Sequence, residues 1–239
     1  KRYMPLGIIF AVTFVILIIN WHSKPEYIAA AYPILLSAGA LKFERLAESS
    51  YKWIKFALPG TLIIFGLLLA PYTLPFLKVE KFIAYTNTIG ISFANNESKE
   101  TQKLHQFYAD MHGWEKMAKT VSEVYKDLPL SAQRRSVIFA QNYGQAGAME
   151  YYSDKYELPK VISAHNNYWL WGYGDKQWKT FIVLGGNEEE LKQYFKLIYK
   201  GGEFTCDYCM PYENNMKIYI CTNPKMPLEE IWDKLKMFI

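Results

Sequence analysis

The stretch Phe56–Leu77, FALPGTLIIFGLLLAPYTLPFL, carries no charged residue, and its reading decides the architecture. At about 1.5 Å of rise per residue, a helix of this length crosses a hydrocarbon core of roughly 30 Å. Toward the start of the chain, Tyr3 to Trp21 is also uncharged, with LGIIFAVTFVILII at its centre. Between the two, Tyr27 to Leu41 is uncharged over 15 residues. That is short for a span, but Tyr and Trp residues extend it into the membrane interface. Three membrane-spanning helices are therefore expected, at about residues 4–21, 27–41 and 56–77, within a membrane region covering residues 1–77. After Leu77 the charge density becomes ordinary, and a separate α/β domain is expected over 78–239.

Charge follows the same division. Up to Leu77 there are seven basic and three acidic residues, so the whole formal net charge of +4 sits there; the remaining 20 basic and 20 acidic residues cancel. A nucleic-acid-binding face needs a basic excess on the soluble region, and this sequence has none. Short loops rich in Lys and Arg stay in the cytoplasm. KFERLAESSYKWIK, Lys42–Lys55, holds four basic residues, the connection before it only Lys24, and Lys1 and Arg2 precede the first run. The chain is thus expected to start inside, cross out, return and cross out again, at a cell membrane, leaving everything after Leu77 extracytoplasmic. The first run lacks the small-residue cleavage site of a signal peptide. An opening KRYMPLG without an initiator Met reads as a piece of a longer polypeptide.

In the soluble region, Leu104–Leu128 has apolar residues at helical spacing and ends before Pro129. SVIFAQ (136–141), KVISAH (160–165), TFIVLG (180–185) and MKIYIC (216–221) read as strands. They alternate with helical stretches: NYGQAGAMEYYSDKY, GNEEELKQYFK with Asn187 as N-cap, and LEEIWDKLK after Pro227. Such alternation predicts a mostly parallel sheet covered by helices. The GG at 185–186 follows a strand, but no phosphate-loop motif exists anywhere in the chain.

SAHNNYWLWGYG, Ser163–Gly174, follows a predicted strand at the edge where α/β sheets present binding loops. Its His165, Asn166, Tyr168, Trp169 and Trp171 resemble a sugar-handling surface, amides for hydroxyls and aromatic faces for C–H faces. The competing reading makes the Trp residues structural wedges or interface anchors. QNYGQAG is a strand-to-helix turn whose helix N-terminus suits an anion, or simply a tight, close-packed turn. Cys206 and Cys209 form C-x-x-C, with Cys221 on a strand nearby. A redox helix does not follow the motif, a zinc site lacks a fourth ligand, and a disulfide of Cys221 with Cys206 or Cys209 is expected. His105 and His112, seven apart on the long helix, read as helix surface, so no metal site is expected. In NWHSKPEYIAAAYP, Asn20–Pro33, His22 and Lys24 stand where a lipid phosphate would lie at the outer face. Plain interfacial anchoring by Trp21, Tyr27 and Lys24 reads equally well.

KPEYIAAAYPILLSAGA resembles the segment that ends the membrane region of bacterial glycosyltransferase family 39 proteins, relatives of protein O-mannosyltransferases and aminoarabinose transferase. YADMHGWEKMAKTVSEVY, VIFAQNYGQAGAMEYY, LPKVISAHNNYWLWG and CMPYENNMKIYICTNPKMPLEEIWDKLK resemble the extracytoplasmic domain of that group, in the same order. The resemblance implies a GT-C fold and transfer of a sugar from a polyprenyl-phosphate carrier to a lipid or protein acceptor. The membrane lipid, the carrier and the N-terminal remainder of the same chain are the implied partners. It also implies that the catalytic base lies in an N-terminal region beyond this sequence, so no catalytic residue and no cofactor are assigned here, and this piece alone is expected to be inactive. Lys24 and Tyr27 take the family's positions near the carrier phosphate, with Glu26 standing where the family has a tyrosine. The alternatives are a complete three-span protein whose outer domain binds a ligand or partner without chemistry, and a redox protein using Cys206 and Cys209.

Overall fold

The computed structural model describes residues 4–20, 25–49, 51–91, 103–174 and 177–238. The chain divides into two compact units, Lys1–Phe82 and Ile83–Ile239. In the first, helix α1 (Met4–Ile19) is followed by a 3-10 turn over Pro25–Ala31, then α2 (Tyr32–Ser49), α3 (Ile54–Thr73) and the start of α4 (Val79–Thr88). The three expected spans reduce to one: among the described residues only α3 is a helix long and apolar enough to cross a membrane. The reason is local. α1 is uncharged but has only 16 residues. The apolar stretch at 27–41 does not form one helix: its first five residues are 3-10. α2 begins at Tyr32 and runs on through Lys42, Glu44, Arg45 and Glu48, residues with good helix propensity and no affinity for hydrocarbon.

The second unit holds α5 (Gln106–Ala109), α6 (Trp114–Lys126), α7 (Leu130–Gln133), β1 (Ser136–Ala140), α8 (Tyr143–Tyr151), α9 (Ser153–Tyr156), β2 (Val161–Ser163), α10 (Asn167–Leu170), β3 (Thr180–Leu184), α11 (Glu188–Tyr194), β4 (Phe195–Phe204), β5 (Met216–Pro224) and α12 (Leu228–Leu235). The five strands form one sheet in the order β2-β1-β3-β5-β4. β1 pairs in parallel with β2 and β3, whereas β5 runs antiparallel to both β3 and β4. The sheet is therefore mixed, not mostly parallel. The unforeseen element is β4, which follows α11 without a loop and returns through residues 205–215 as β5. Only its two terminal residues are buried, so FKLIYKGGEF lacks the apolar run that marks a central strand.

The other strands show the period of two that a sheet covered on both faces requires. Ile138, Val161, Ile182, Leu184, Ile218 and Ile220 pack on one face beneath α6 and α8, with Met117, Val121 and Met149. Val137, Ile162, Phe181, Val183, Tyr219 and Cys221 pack on the other beneath α11 and α12, with Leu191, Ile231 and Trp232. The helix expected over 104–128 is broken in two. Gly113, at φ +94°, caps α6, and His105 instead caps α5 by accepting from the Phe107 N–H at 3.3 Å. His105 and His112 thus do not share a helix face.

At Gly201 in β4, an added Cβ would lie 2.8 Å from both Val124 Cγ1 and Ile220 Cδ1. Gly201→Ala is expected to destabilise the domain by about 1–3 kcal/mol through overpacking. Gly147→Ala in α8, whose new methyl meets only the Tyr168 hydroxyl at 3.7 Å, is expected to be neutral or to stabilise by about 0.5–1 kcal/mol. Urea unfolding of the full chain in detergent checks both.

Candidate functional site

β1 connects to β2 on one side of it, while β3 lies on its other side. The carboxyl ends of β1 and β3 therefore flank the point where the strand order reverses, the usual crevice for ligands in open α/β sheets. Because β5 is antiparallel, its amino end and the carboxyl end of β4 reach the same edge: Leu184 pairs with Ile218 and Phe204 with Met216. Four segments meet there: Gln141–Gly144, Ala164–Asn166, Gly185–Asn187 and the loop 205–215.

The turn after β1 is committed to contacts within the protein. Asn142 caps α8, its Oδ1 accepting from the Gln145 N–H at 2.8 Å. The Tyr143 N–H donates to His165 Nδ1 at 3.2 Å, and the Gln141 N–H to Gln145 Oε1 at 3.0 Å. With these donors spent internally, the anion reading of QNYGQAG gives way to the tight-turn reading. Gly185 and Gly186 both have positive φ, and a Cβ on Gly186 would lie 2.9 Å from Gln141 Nε2. That pair of glycines admits the Gln141 side chain and closes a turn; it does not cradle a phosphate.

His165 is 7% exposed and stacks on Tyr143, ring centroids 5.0 Å apart and 11° from parallel. Burial holds its imidazole below the ordinary histidine range, so it is neutral at pH 7. Since Nδ1 accepts, Nε2 carries the proton, and this buried N–H has no acceptor among the described residues. Orphaned buried donors are rare and cost about 1–3 kcal/mol. The next residue, Asn166, sits at φ +51° and ψ −133°, a strained conformation for a side chain with a Cβ. Its N–H donates to the Met237 carbonyl at 2.8 Å.

The aromatic residues expected to handle sugar separate into two roles. Trp169 donates from Nε1 to the Trp232 carbonyl at 3.3 Å, and Trp232 returns the bond to the Trp169 carbonyl at 3.2 Å. Lys236 lies over the Trp169 ring at 4.2 Å. Trp169 is thus a staple between α10 and α12, the structural alternative. Trp171 is 68% exposed and meets Tyr168 edge-on at 4.4 Å. The Tyr168 hydroxyl donates to Glu150 Oε2 at 2.9 Å, and burial followed by that carboxylate pushes the phenol up to about 12. Tyr27 is exposed. His22 and Lys24, the other expected carrier-lipid residues, lie outside the described residues.

Sequence reasoning missed Glu213. It is 2% exposed, in a 3-10 turn that closes the loop 205–215. Burial pushes its carboxyl up to about 7, against an opposing contact from the Asn142 amide, which donates to Oε1 at a long 3.5 Å. The only signal was its place in CMPYENN, a polar stretch that reads as a surface turn. The expected disulfide is not formed; all three cysteines are free. Cys221 faces the core under α11 and α12, while Cys206 and Cys209 pack against the core under α6, so the sheet itself stands between them. Among the described residues no group of three His, Cys, Asp or Glu is placed to hold a metal ion.

A cavity of about 90 Å³ lies on the α11–α12 face, lined by Phe139, Tyr173, Tyr194, Leu228 and Trp232, with Gln141 and Asn187 from the crevice turns. In comparisons with protein-family models, curated proteins and solved structures, nothing matches this chain.

Glu213 also makes stability depend on pH. Its carboxyl titrates at an ordinary 4.5 when unfolded and at about 7 in the native chain. Between those values the native state binds more protons, so stability falls as pH rises, and the loss is complete above the native value at roughly 3 kcal/mol. Glu213→Gln is expected to abolish this loss, leaving the variant the more stable at pH ~8 and the two chains closer at pH ~5. Urea midpoints across that range check it.

Proposed function

We propose that this chain is the C-terminal portion of an integral-membrane glycosyltransferase, one that moves a sugar from a polyprenyl-phosphate carrier to a lipid or protein acceptor. In this reading α3 anchors it and the second unit is extracytoplasmic. The four basic residues of Lys42–Lys55 before α3 are what supports that orientation. The observation that carries the reading is convergence. VIFAQNYGQAGAMEYY, LPKVISAHNNYWLWG and CMPYENN, far apart in sequence and each resembling the family 39 domain, meet at one sheet edge. Tyr143 bonds His165, and Asn142 bonds Glu213. Blocks that only stabilised the fold would have no reason to share an edge, and that edge is where open α/β sheets bind ligands.

The segment after β2 supplies contact groups: the exposed Trp171 indole as a stacking face and, against α8, the Tyr168–Glu150 pair. Direct attack of an acceptor hydroxyl on the anomeric carbon needs a base, and this reading places that base in the membrane region of the polypeptide. A second reading, a membrane-anchored protein that binds a ligand without chemistry, is favoured by the apolar cavity between the sheet and α11–α12.

The test uses the native polypeptide in proteoliposomes with a radiolabelled polyprenyl-phosphate sugar. Transfer to acceptor is expected. Trp171→Ala is expected to raise the acceptor KM roughly two- to ten-fold, the value of one aromatic stacking contact, with kcat unchanged. Absence of transfer from every carrier tried overturns the transferase reading and leaves the binding protein. Transfer with an unaltered KM overturns the acceptor role of the segment after β2.

A further inference from the structure

Loop 205–215 carries chemistry that glycosyl transfer does not use. Cys206 and Cys209 sit on a single turn. The Cys209 N–H donates to Cys206 Sγ at 3.0 Å, and the Cys209 thiol lies 3.6 Å from the Cys206 carbonyl. Both side chains are half-buried and line a recess of about 250 Å³ with Leu104, Tyr208 and Pro211. Lys103 reaches over the Tyr208 ring at 5.9 Å, and Lys116 bonds Thr205 Oγ1 at 3.3 Å, so cations flank the motif. The start of α6 presses on the pair. A Cβ at Gly113 would stand 3.1 Å from Cys206 Sγ and 3.3 Å from Cys209 Cβ. The same loop carries Glu213, whose carboxyl is raised by burial and by the charge of Asp110 and accepts from the Asn142 amide.

We propose that Cys206 and Cys209 are a dithiol–disulfide centre that exchanges with low-molecular-weight disulfides in this recess. The neighbouring backbone contacts already hold the two sulfurs on one turn, so closing the ring needs little chain movement. Cys206 Sγ accepts the Cys209 N–H at 3.0 Å, a contact that favours its thiolate form, whereas burial pushes the Cys209 thiol up. Cys206 is therefore the attacking sulfur. Its thiolate displaces RS⁻ from a disulfide RSSR, and RS⁻ leaves as RSH on taking a proton. Cys209 then gives up its proton to solvent and attacks Cys206 Sγ, and the second RS⁻ departs, taking a proton from solvent to leave as RSH. Two protein thiols are oxidised and one RSSR is reduced to two RSH. Cys221 takes no part, being buried in the opposite core with its thiol pushed up to about 12. The chemistry is independent of sugar transfer, though the ring it closes would fix the loop that presents Glu213 to Asn142.

The full chain in detergent is equilibrated with mixtures of oxidised and reduced glutathione, quenched in acid, alkylated and mapped by mass spectrometry. The peptide carrying Cys206 and Cys209 is expected to lose its two thiol hydrogens while Cys221 is alkylated. Cys209→Ser is expected to accumulate glutathione on Cys206. Two free thiols in excess glutathione disulfide, or a bond to Cys221, overturn the proposal.

Discussion

β3 is buried along all five of its residues, and the second unit is organised around the demand this makes. A strand with water on neither face must be covered by helices on both, and its backbone groups must be paired on both edges. Parallel β1 serves one edge and antiparallel β5 the other. The first pairing brings the turns after β1 and β3 together; the second brings the loop between β4 and β5 to the same end of the sheet. Had β5 run parallel, that loop would lie at the opposite end and neither Glu213 nor the cysteines would approach Asn142.

The contents of the edge follow from how crowded it becomes. Gly113 and Gly186 stand where a Cβ would strike Cys206 or Gln141, and both have positive φ. The backbone there is used for close approach, and side chains from other segments occupy the space. The start of α8 is correspondingly occupied from within, Asn142 and His165 accepting from the Gln145 and Tyr143 N–H groups. The same crowding buries a carboxyl, and it buries a neutral imidazole whose Nε2–H has no acceptor among the described residues. Such sites cost stability and are retained where binding or chemistry uses them.

The first unit obeys a different solvent logic. α3 contains Pro59 and Pro71 and none of its residues is buried, although its sequence is almost wholly apolar. Residues 61–69 are exposed throughout, a pattern costly in water and ordinary in hydrocarbon, and α3 is long and apolar enough to cross a membrane. α2 shows the limit of reading by composition: its uncharged half and its charged half form one continuous helix, because Lys, Glu and Arg propagate a helix as readily as Leu does.

Much was legible in the sequence alone. The structure divides at Phe82–Ile83, close to where charge and hydropathy change in the sequence, and β1, β2, β3 and β5 announce themselves as short, mostly apolar runs, since burial on both faces leaves a strand few polar positions. The capping role of Asn187 was visible for the same reason, a local one. What needed the tertiary structure is everything that depends on direction or on partners distant in sequence. Edge strand β4 has no two-sided burial to mark it, and strand polarity leaves no trace in an apolar run. The break at Gly113 yields to the packing of α6 on the loop 205–215, and Cys221 is kept from Cys206 and Cys209 by the pleat that points it to the far face. Trp169 and Trp171, two residues apart, separate because α12 meets only one of them. Local periodicity reports how much of a residue is buried; only the fold decides against what.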